Sequence, residues 1–335
     1  MLMKSSLKSL KLKYRKNSLL RFLLTLIAKP FRASLFLVTL MFLFLLPGQN
    51  YYQTRILVSR PPLVRASQKA NFLPSDYPVK KSEQSVPELS AKSAVAVDAT
   101  SGVILYAKDP NEKLHPASIT KLMTALVALD YYPLDRVLTV KRLVNGSEES
   151  EMGLKVGDRL TVKNLLYGLL IPSGNDAAYT LADNYPGGIE NFIYSMNQKA
   201  RELSLFNTHF ENPSGLDQDN HYMSSRDISR LAMVALKQPL IAEIVGTNWA
   251  SVTDISGKKH YPLQNVNQLL LSYRGTFGIK TGFTDDAGQC LAAAIKRGSQ
   301  TVITVVLKSD DRFADTKLLA GWVFRNFTET PAVNL

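Results

Sequence analysis

The segment HPASITKLMTAL (residues 115–126) places Ser118 three positions before Lys121 at the start of an apolar-faced helical pattern. A serine hydroxyl is a poor nucleophile until a neighbour removes its proton, and a lysine can do this only while its amine is neutral. Positions i and i+3 of a helix share a face, so the two side chains fall within reach of one another. Burial or a second cation would lower the lysine's proton affinity. The pair also has a plain structural reading, a capping serine followed by a solvated lysine. The same spacing recurs at Ser5/Lys8 and Ser256/Lys259, so two of the three occurrences are accidental.

Two further fragments carry chemistry. In LLIPSGNDAAY, Ser173-Gly174-Asn175 interrupts two helical segments, and Pro172 and Gly174 predict a fixed turn that projects a hydroxyl and a carboxamide. Ser173 can relay a proton to a leaving amine, and Asn175 can hold a substrate backbone or orient Lys121; helix capping is the competing reading. In GTFGIKTGFTDDAGQC, Lys280, Thr281 and Gly282 end a strand-like run. Lysine and threonine there can bind a carboxylate, and glycine lets an extended peptide approach the strand closely. The alternative is a strand running into a turn with Lys280 exposed.

These fragments need elements to hold them. SAVAVDATSGVILYAKD reads as a hairpin turning at residues 99–102. A helix-rich middle follows, in TVKNLLYGLL, NDAAYTLADNY, IENFIYSMNQKARELSL and SSRDISRLAMVALKQ. Strand patterns return in TFGIKTGF, GQCLAAAIKRG and TVITVVLKS, broken near Arg297-Gly298 and Asp310-Asp311. A last helix over about residues 313–327 is expected to bring Leu318, Leu319, Trp322 and Val323 onto one face. Strands at both ends with helices between them predict an α+β fold in which the early hairpin joins the late meander in one antiparallel sheet.

The chain has 335 residues, 45% of them hydrophobic, and a formal charge of +12. Thirteen Lys and Arg precede the first acidic residue, Asp76, so the remainder is close to neutral. A nucleic-acid-binding face is therefore not expected. Residues 1–32 form a basic cytoplasmic segment and 33–50 an apolar run. As a helix, Ser34–Leu46 would extend ~20 Å against a hydrocarbon layer of ~30 Å, a length suited to a signal-peptide h-region. The flanks favour an uncleaved signal anchor: no small-x-small site follows Pro47, Arg32 can snorkel, and Tyr51 and Tyr52 suit the far interface. Either way, the positive-inside rule puts the rest of the chain outside the cytoplasm. Residues 51–88 read as a flexible stem, 89–328 as the catalytic domain and 329–335 as a tail. The lone Cys290 reads as a buried strand position, and His115, His209, His221 and His260 lack metal-ligand spacing. Neither a metal nor another cofactor is expected.

Taken in order, SxxK, SxN and KTG form the signature of active-site serine penicillin-recognising enzymes. Ser5 lies in the basic segment and Ser256 follows the SxN element, so only Ser118 fits that order. VDATSGVILYAKDPNEKLHPASITKLMTALVAL, LLIPSGNDAAYTLAD, THFENPSGLDQDNHYMSSRDISRLAMVAL and GIKTGFTDDAGQCLAAAIKRG together resemble the D-alanyl-D-alanine carboxypeptidases, the low-molecular-mass penicillin-binding proteins, over about residues 90–327. The resemblance implies a β-lactamase-like fold, an antiparallel sheet flanked by helices plus a helical subdomain, with the site in the cleft between them. It implies Ser118 as acylated nucleophile, Lys121 as base, Ser173 and Asn175 on the opposite wall, and Lys280, Thr281 and Gly282 binding substrate. The oxyanion hole would use the backbone amides of Ser118 and Phe283. The implied substrate is a peptidoglycan stem peptide ending in D-Ala-D-Ala, with β-lactams as covalent inhibitors. The best-known members continue into a β-rich domain and a membrane-binding helix, so permanent membrane attachment is here expected from the N-terminal segment. A DD-endopeptidase acting on cross-links would use the same three motifs. A β-lactamase would need a deacylating glutamate, for which Glu211 is the candidate, and an inactive wall-binding module would keep the fold without turnover.

Overall fold

The computed structural model describes residues 78–82, 84–143 and 150–329. The basic segment, the apolar segment, most of the stem and the tail beyond Glu329 lie outside the described residues. Among the described residues no helix is long and apolar enough to cross a membrane.

Within the span read as stem, β1 (Pro78–Lys80) pairs antiparallel with β11 (Phe327–Glu329). The hairpin of β2 (Ser93–Asp98) and β3 (Ile104–Lys108) turns where Asp98 accepts a hydrogen bond from Ser101 N at 2.7 Å and Gly102 adopts φ 73°. Between this hairpin and the later strands lie α1 (Lys121–Tyr131), the ribbon of β4 (Val137–Thr139) and β5 (Arg159–Thr161), α2 (Val162–Leu170), α3 (Asn175–Asp183), α4 (Gly188–Glu202), α5 (Ser225–Leu236) and α6 (Pro239–Gly246). A second ribbon, β6 (Trp249–Thr253) with β7 (His260–Gln264), and one turn of helix, α7 (Leu269–Ser272), lead into β8 (Thr276–Thr284), β9 (Gly288–Arg297) and β10 (Gln300–Ser309). Helix α8 (Arg312–Asn326) follows. Side chains cap the helices where the sequence offers them: Thr161 accepts from Asn164 N, Ser224 from Asp227 N, and Asp311 from Phe313 N and Ala314 N.

The five-stranded sheet has the order β3-β2-β10-β9-β8 and is antiparallel throughout, so the early hairpin does join the late meander. Its central strands are buried on both faces. Val95 and Val97 of β2 enter one core while Ala94 and Ala96 enter the other, and in β9 Cys290, Ala292 and Ala294 oppose Leu291, Ala293 and Ile295. Two-sided burial is why these strands read as unbroken apolar runs. Helix α8 covers one face through Leu319, Trp322 and Val323; the helices between the hairpin and the meander contribute to the core on the other. Leu318 departs from the sequence expectation, with 50% of its surface exposed. It precedes Leu319 by one residue, which places it roughly 100° round the helix from Leu319, on the flank of the buried stripe.

Strand β8 is an edge of the sheet, and the 3₁₀ turn Ala117–Thr120 packs against it. That contact brings the Ser118 turn beside the strand that carries Lys280, Thr281 and Gly282.

Candidate active site

Ser118 lies in the 3₁₀ turn, which runs directly into α1 at Lys121. With about three residues per turn, side chains i and i+3 stand one above the other, and Lys121 Nζ donates to Ser118 Oγ at 2.7 Å. Its other bond goes to the carbonyl oxygen of Ser214 at 2.8 Å. Lys121 has no exposed surface. Burial, and after it the charge of Lys280, hold its proton affinity well below the usual lysine range, while Asp176 acts in the opposite sense. That direction raises the neutral fraction of the amine beside Ser118 above that of a surface lysine.

Ala117 carries the strain of this arrangement, at φ 48°, a region costly for an L-residue. Two glycines clasp it. A Cβ on Gly215, itself at φ 89°, would lie 1.9 Å from Ala117 O, and a Cβ on Gly282 would lie 2.9 Å from both Ala117 Cβ and Pro116 O. The chain around Gly215 is shaped by Asn212, whose Oδ1 accepts from the backbone N–H groups of Ser214 (3.1 Å), Gly215 (2.7 Å) and Leu216 (3.2 Å). Thr124 of α1 donates to Pro213 O at 2.6 Å, and Thr284 at the end of β8 donates to Asp217 at 2.6 Å. The segment 212–217 thereby ties the nucleophile's helix to the edge strand. Sequence reasoning assigned it no role; its Asn-Pro-Ser-Gly composition is a turn signal that could have marked it.

Ser173 sits in the turn before α3 at φ 70° and is buried, and its Oγ has no hydrogen-bond partner. A buried hydroxyl left unpaired costs free energy unless a ligand or water completes it. Asn175 opens α3 and is likewise buried, its backbone N–H bonded to Ser150 O at 2.7 Å.

Lys280 and Thr281 occupy the middle of β8, both buried, so the exposed-lysine reading fails. Lys280 Nζ donates to Thr281 O at 3.0 Å, and burial, followed by the charge of Arg312, brings its pKa down to about 7. Arg312 begins α8 and donates from Nη1 to Gly282 O at 2.7 Å, while its Nε is buried without a partner. This end of the edge strand is therefore cationic and under-satisfied, a setting suited to an anion. No spacing pattern could have pointed to Arg312, because only the sheet register and α8 bring it to β8. Phe283 is exposed at the strand's end, and the Cβ position of its neighbour Gly282 lies 3.1 Å from Ser118 N.

Other sequence candidates lie elsewhere. Ser256 donates to Asp254 and Lys259 pairs with Asp158, both in the β6–β7 region. Glu211 accepts from Asn220 N at 3.0 Å and lines a cavity of about 530 Å³ with Glu190, Tyr194 and Arg201 of α4. His221 is buried and hydrogen-bonded to Thr120 at 2.8 Å, and desolvation pushes its pKa down to about 3.

Residues 80–311 match the sequence profile of the D-alanyl-D-alanine carboxypeptidase family. A D-alanyl-D-alanine carboxypeptidase of Bacillus subtilis is 35% identical over 270 residues, covering 78% of this chain and 69% of its own length. A D-alanyl-D-alanine endopeptidase of Escherichia coli is 35% identical over 251 residues, covering 71% and 79% respectively. The solved structure of the Streptomyces K15 DD-transpeptidase aligns with a TM-score of 0.69 and 34% identity, over 72% of this chain and 100% of that one. On these matches, the chain belongs to the D-alanyl-D-alanine carboxypeptidase family of serine peptidases.

Proposed function

We propose that this chain removes the terminal D-alanine from peptidoglycan stem peptides through an acyl-enzyme on Ser118. The observation that carries the reading is the buried Lys121 amine 2.7 Å from Ser118 Oγ, beside an edge strand that bears Lys280, Thr281 and Gly282. A peptide laid along that edge would place its terminal carboxylate toward Lys280 and Thr281, with Arg312 adding charge behind them. Asn175 would hold the substrate backbone from the opposite wall.

The neutral Lys121 amine takes the Ser118 proton as Oγ forms its bond to the penultimate carbonyl carbon. The backbone amides of Ser118 and Phe283 receive the developing oxyanion. Collapse breaks the C–N bond, and the proton passes from Lys121 through the Ser173 hydroxyl to the leaving nitrogen, so that D-alanine departs as a neutral amine with its carboxylate still ionised. Water then attacks the ester carbonyl, giving a proton to Lys121; the acyl–Oγ bond breaks, and Lys121 returns that proton to Ser118 Oγ as the shortened peptide leaves as a carboxylate. β-Lactams would acylate the same serine.

Endopeptidase action on cross-links uses the same steps with a larger leaving amine, and the similarity to the Escherichia coli endopeptidase favours testing it directly. Digestion of purified muropeptides separates the two. Loss of one alanine from pentapeptides supports the carboxypeptidase; conversion of dimers to monomers without that loss would replace it with the endopeptidase.

The substrate of the family lies in the cell wall, outside the cytoplasmic membrane. We place this chain there with its N-terminus inside, tethered through residues 33–50, on the strength of the basic segment and the apolar run that follows it. Cell fractionation tests this. The full chain is expected with the membrane; its release in soluble form with a cleaved N-terminus would show a signal peptide instead.

A further inference from the structure

Asp176 follows Asn175 in the first turn of α3 and is 1% exposed. Its carboxylate accepts backbone N–H groups from Met152 at 3.1 Å, Gly153 at 3.0 Å and Leu154 at 2.9 Å, and one from Ala177 at 2.8 Å. The contact is tight: a Cβ on Gly174 would lie 3.2 Å from Met152 N. Charge-assisted bonds from one carboxylate to a run of amides make a strong clamp between two segments. The far end of the same segment is held by Asp158, which accepts from Tyr261 OH at 2.7 Å and pairs with Lys259. Beside the Asp176 clamp the SGN turn keeps Ser173 left-handed, buried and with its hydroxyl unpaired, which its own local interactions do not favour.

We propose that Asp176 is a positioning residue for acyl transfer. It clamps the Met152–Leu154 backbone so that Ser173 and Asn175 hold their places, and its carboxylate is the acidic group that faces the buried Lys121 amine. The proposal rests on the reading of Ser118 and Lys121 as nucleophile and base. Lys121 is faced by Ser118 from the 3₁₀ turn, Lys280 from β8, Asp176 from α3, and Ser214, to which Tyr179 of α3 is hydrogen-bonded. Of the charged groups, Lys280 disfavours the protonated amine and Asp176 favours it.

The two roles separate experimentally. In Asp176→Asn the acid limb of kcat for a D-Ala-D-Ala-terminated peptide should move to lower pH, because Lys121 loses the group that favours its proton. A merely loosened site would admit water and move that limb to higher pH. Per active site titrated with fluorescent penicillin, kcat should fall on the order of tenfold as the turn relaxes. Asp176→Glu, which keeps the charge but shifts the clamp, should restore the wild-type limb while kcat stays low. A limb that stays or rises in Asp176→Asn, or an unchanged kcat per titrated site, would overturn the assignment. If Asp176→Asn gives no penicillin-reactive protein, Asp176→Glu decides alone, lowered kcat with the wild-type limb supporting the proposal and unchanged kcat sinking it. A penicillin adduct surviving in Ser118→Ala would instead overturn the parent reading, so the two failures are distinct.

Discussion

The α-carbon of Gly215 lies against the carbonyl oxygen of Ala117 so closely that a single added methyl group would come within 1.9 Å of it. Gly215 is also at φ 89°, so Gly215→Ala meets both a steric and a conformational penalty. The variant should lose at least about 2 kcal/mol of stability, and its surviving folded fraction should acylate more slowly as the Ser118 turn shifts. Gly257→Ala is the control, at φ 70° with nothing within 4 Å. It should lose about 1 kcal/mol and keep its acylation rate. Denaturant midpoints and penicillin acylation rates measure both, and wild-type acylation by Gly215→Ala would show that the clasp does not position the nucleophile.

Ser118→Ala should abolish D-alanine release and penicillin labelling together. Among the described residues the Ser118 hydroxyl is bonded to Lys121 alone, so the fold should persist. Intact mass after exposure to a penicillin, followed by peptide mapping, tests this, and an adduct on another residue would contradict it.

With Lys121 as the proposed base, its lowered proton affinity should set the acid side of the rate profile. As pH falls the amine takes up a proton and can no longer accept one from Ser118, so acylation should decline on the acid side. A profile flat down to about pH 5 would remove Lys121 from the role of base.

Lys280 has a consequence for stability. Its folded pKa of about 7 lies below the ordinary lysine value, so between the two the unfolded chain holds a proton that the folded chain has released. Stability therefore rises with pH through that window, and the penalty is fully present below it. In Lys280→Met the rise from pH 7 to 10 should be smaller than in the wild type, as read from denaturation midpoints across pH. Equal slopes would mean that the amine is not desolvated in solution.

Lys280→Ala should also raise KM for peptides with a free terminal carboxylate and leave carboxylate-free esters little affected. Steady-state kinetics on the two substrate types decide the matter, since an equal loss on both would separate Lys280 from carboxylate recognition.

The candidate side chains were legible because chemistry restricts residue type: a serine nucleophile needs a base nearby, and the SxxK, SxN and KTG fragments stand out as text. The main elements were legible because hydrophobic period reports burial, as in the two-sided strands around Val95 and Ala292. The ribbons β1–β11 and β4–β5 were not, because strands three residues long carry no period. Leu318 shows the same limit from the other side, since residue type alone does not say which of two adjacent leucines on a helix turns toward the core.

By itself, the amino-acid sequence determined which side chains are candidates for chemistry and where the longer strands and helices run, because both depend on residue type and local spacing. Only the tertiary structure decided what surrounds those atoms. Ser214 holds the lysine, Gly215 and Gly282 clasp Ala117, Arg312 reaches β8 and Asp176 gathers three amides of another segment. Those contacts join residues far apart in the chain, and a carbonyl or amide that every residue possesses leaves no mark in the sequence. The low proton affinity of Lys121 belongs with them, because it comes from burial and from a charge that the sheet brings close.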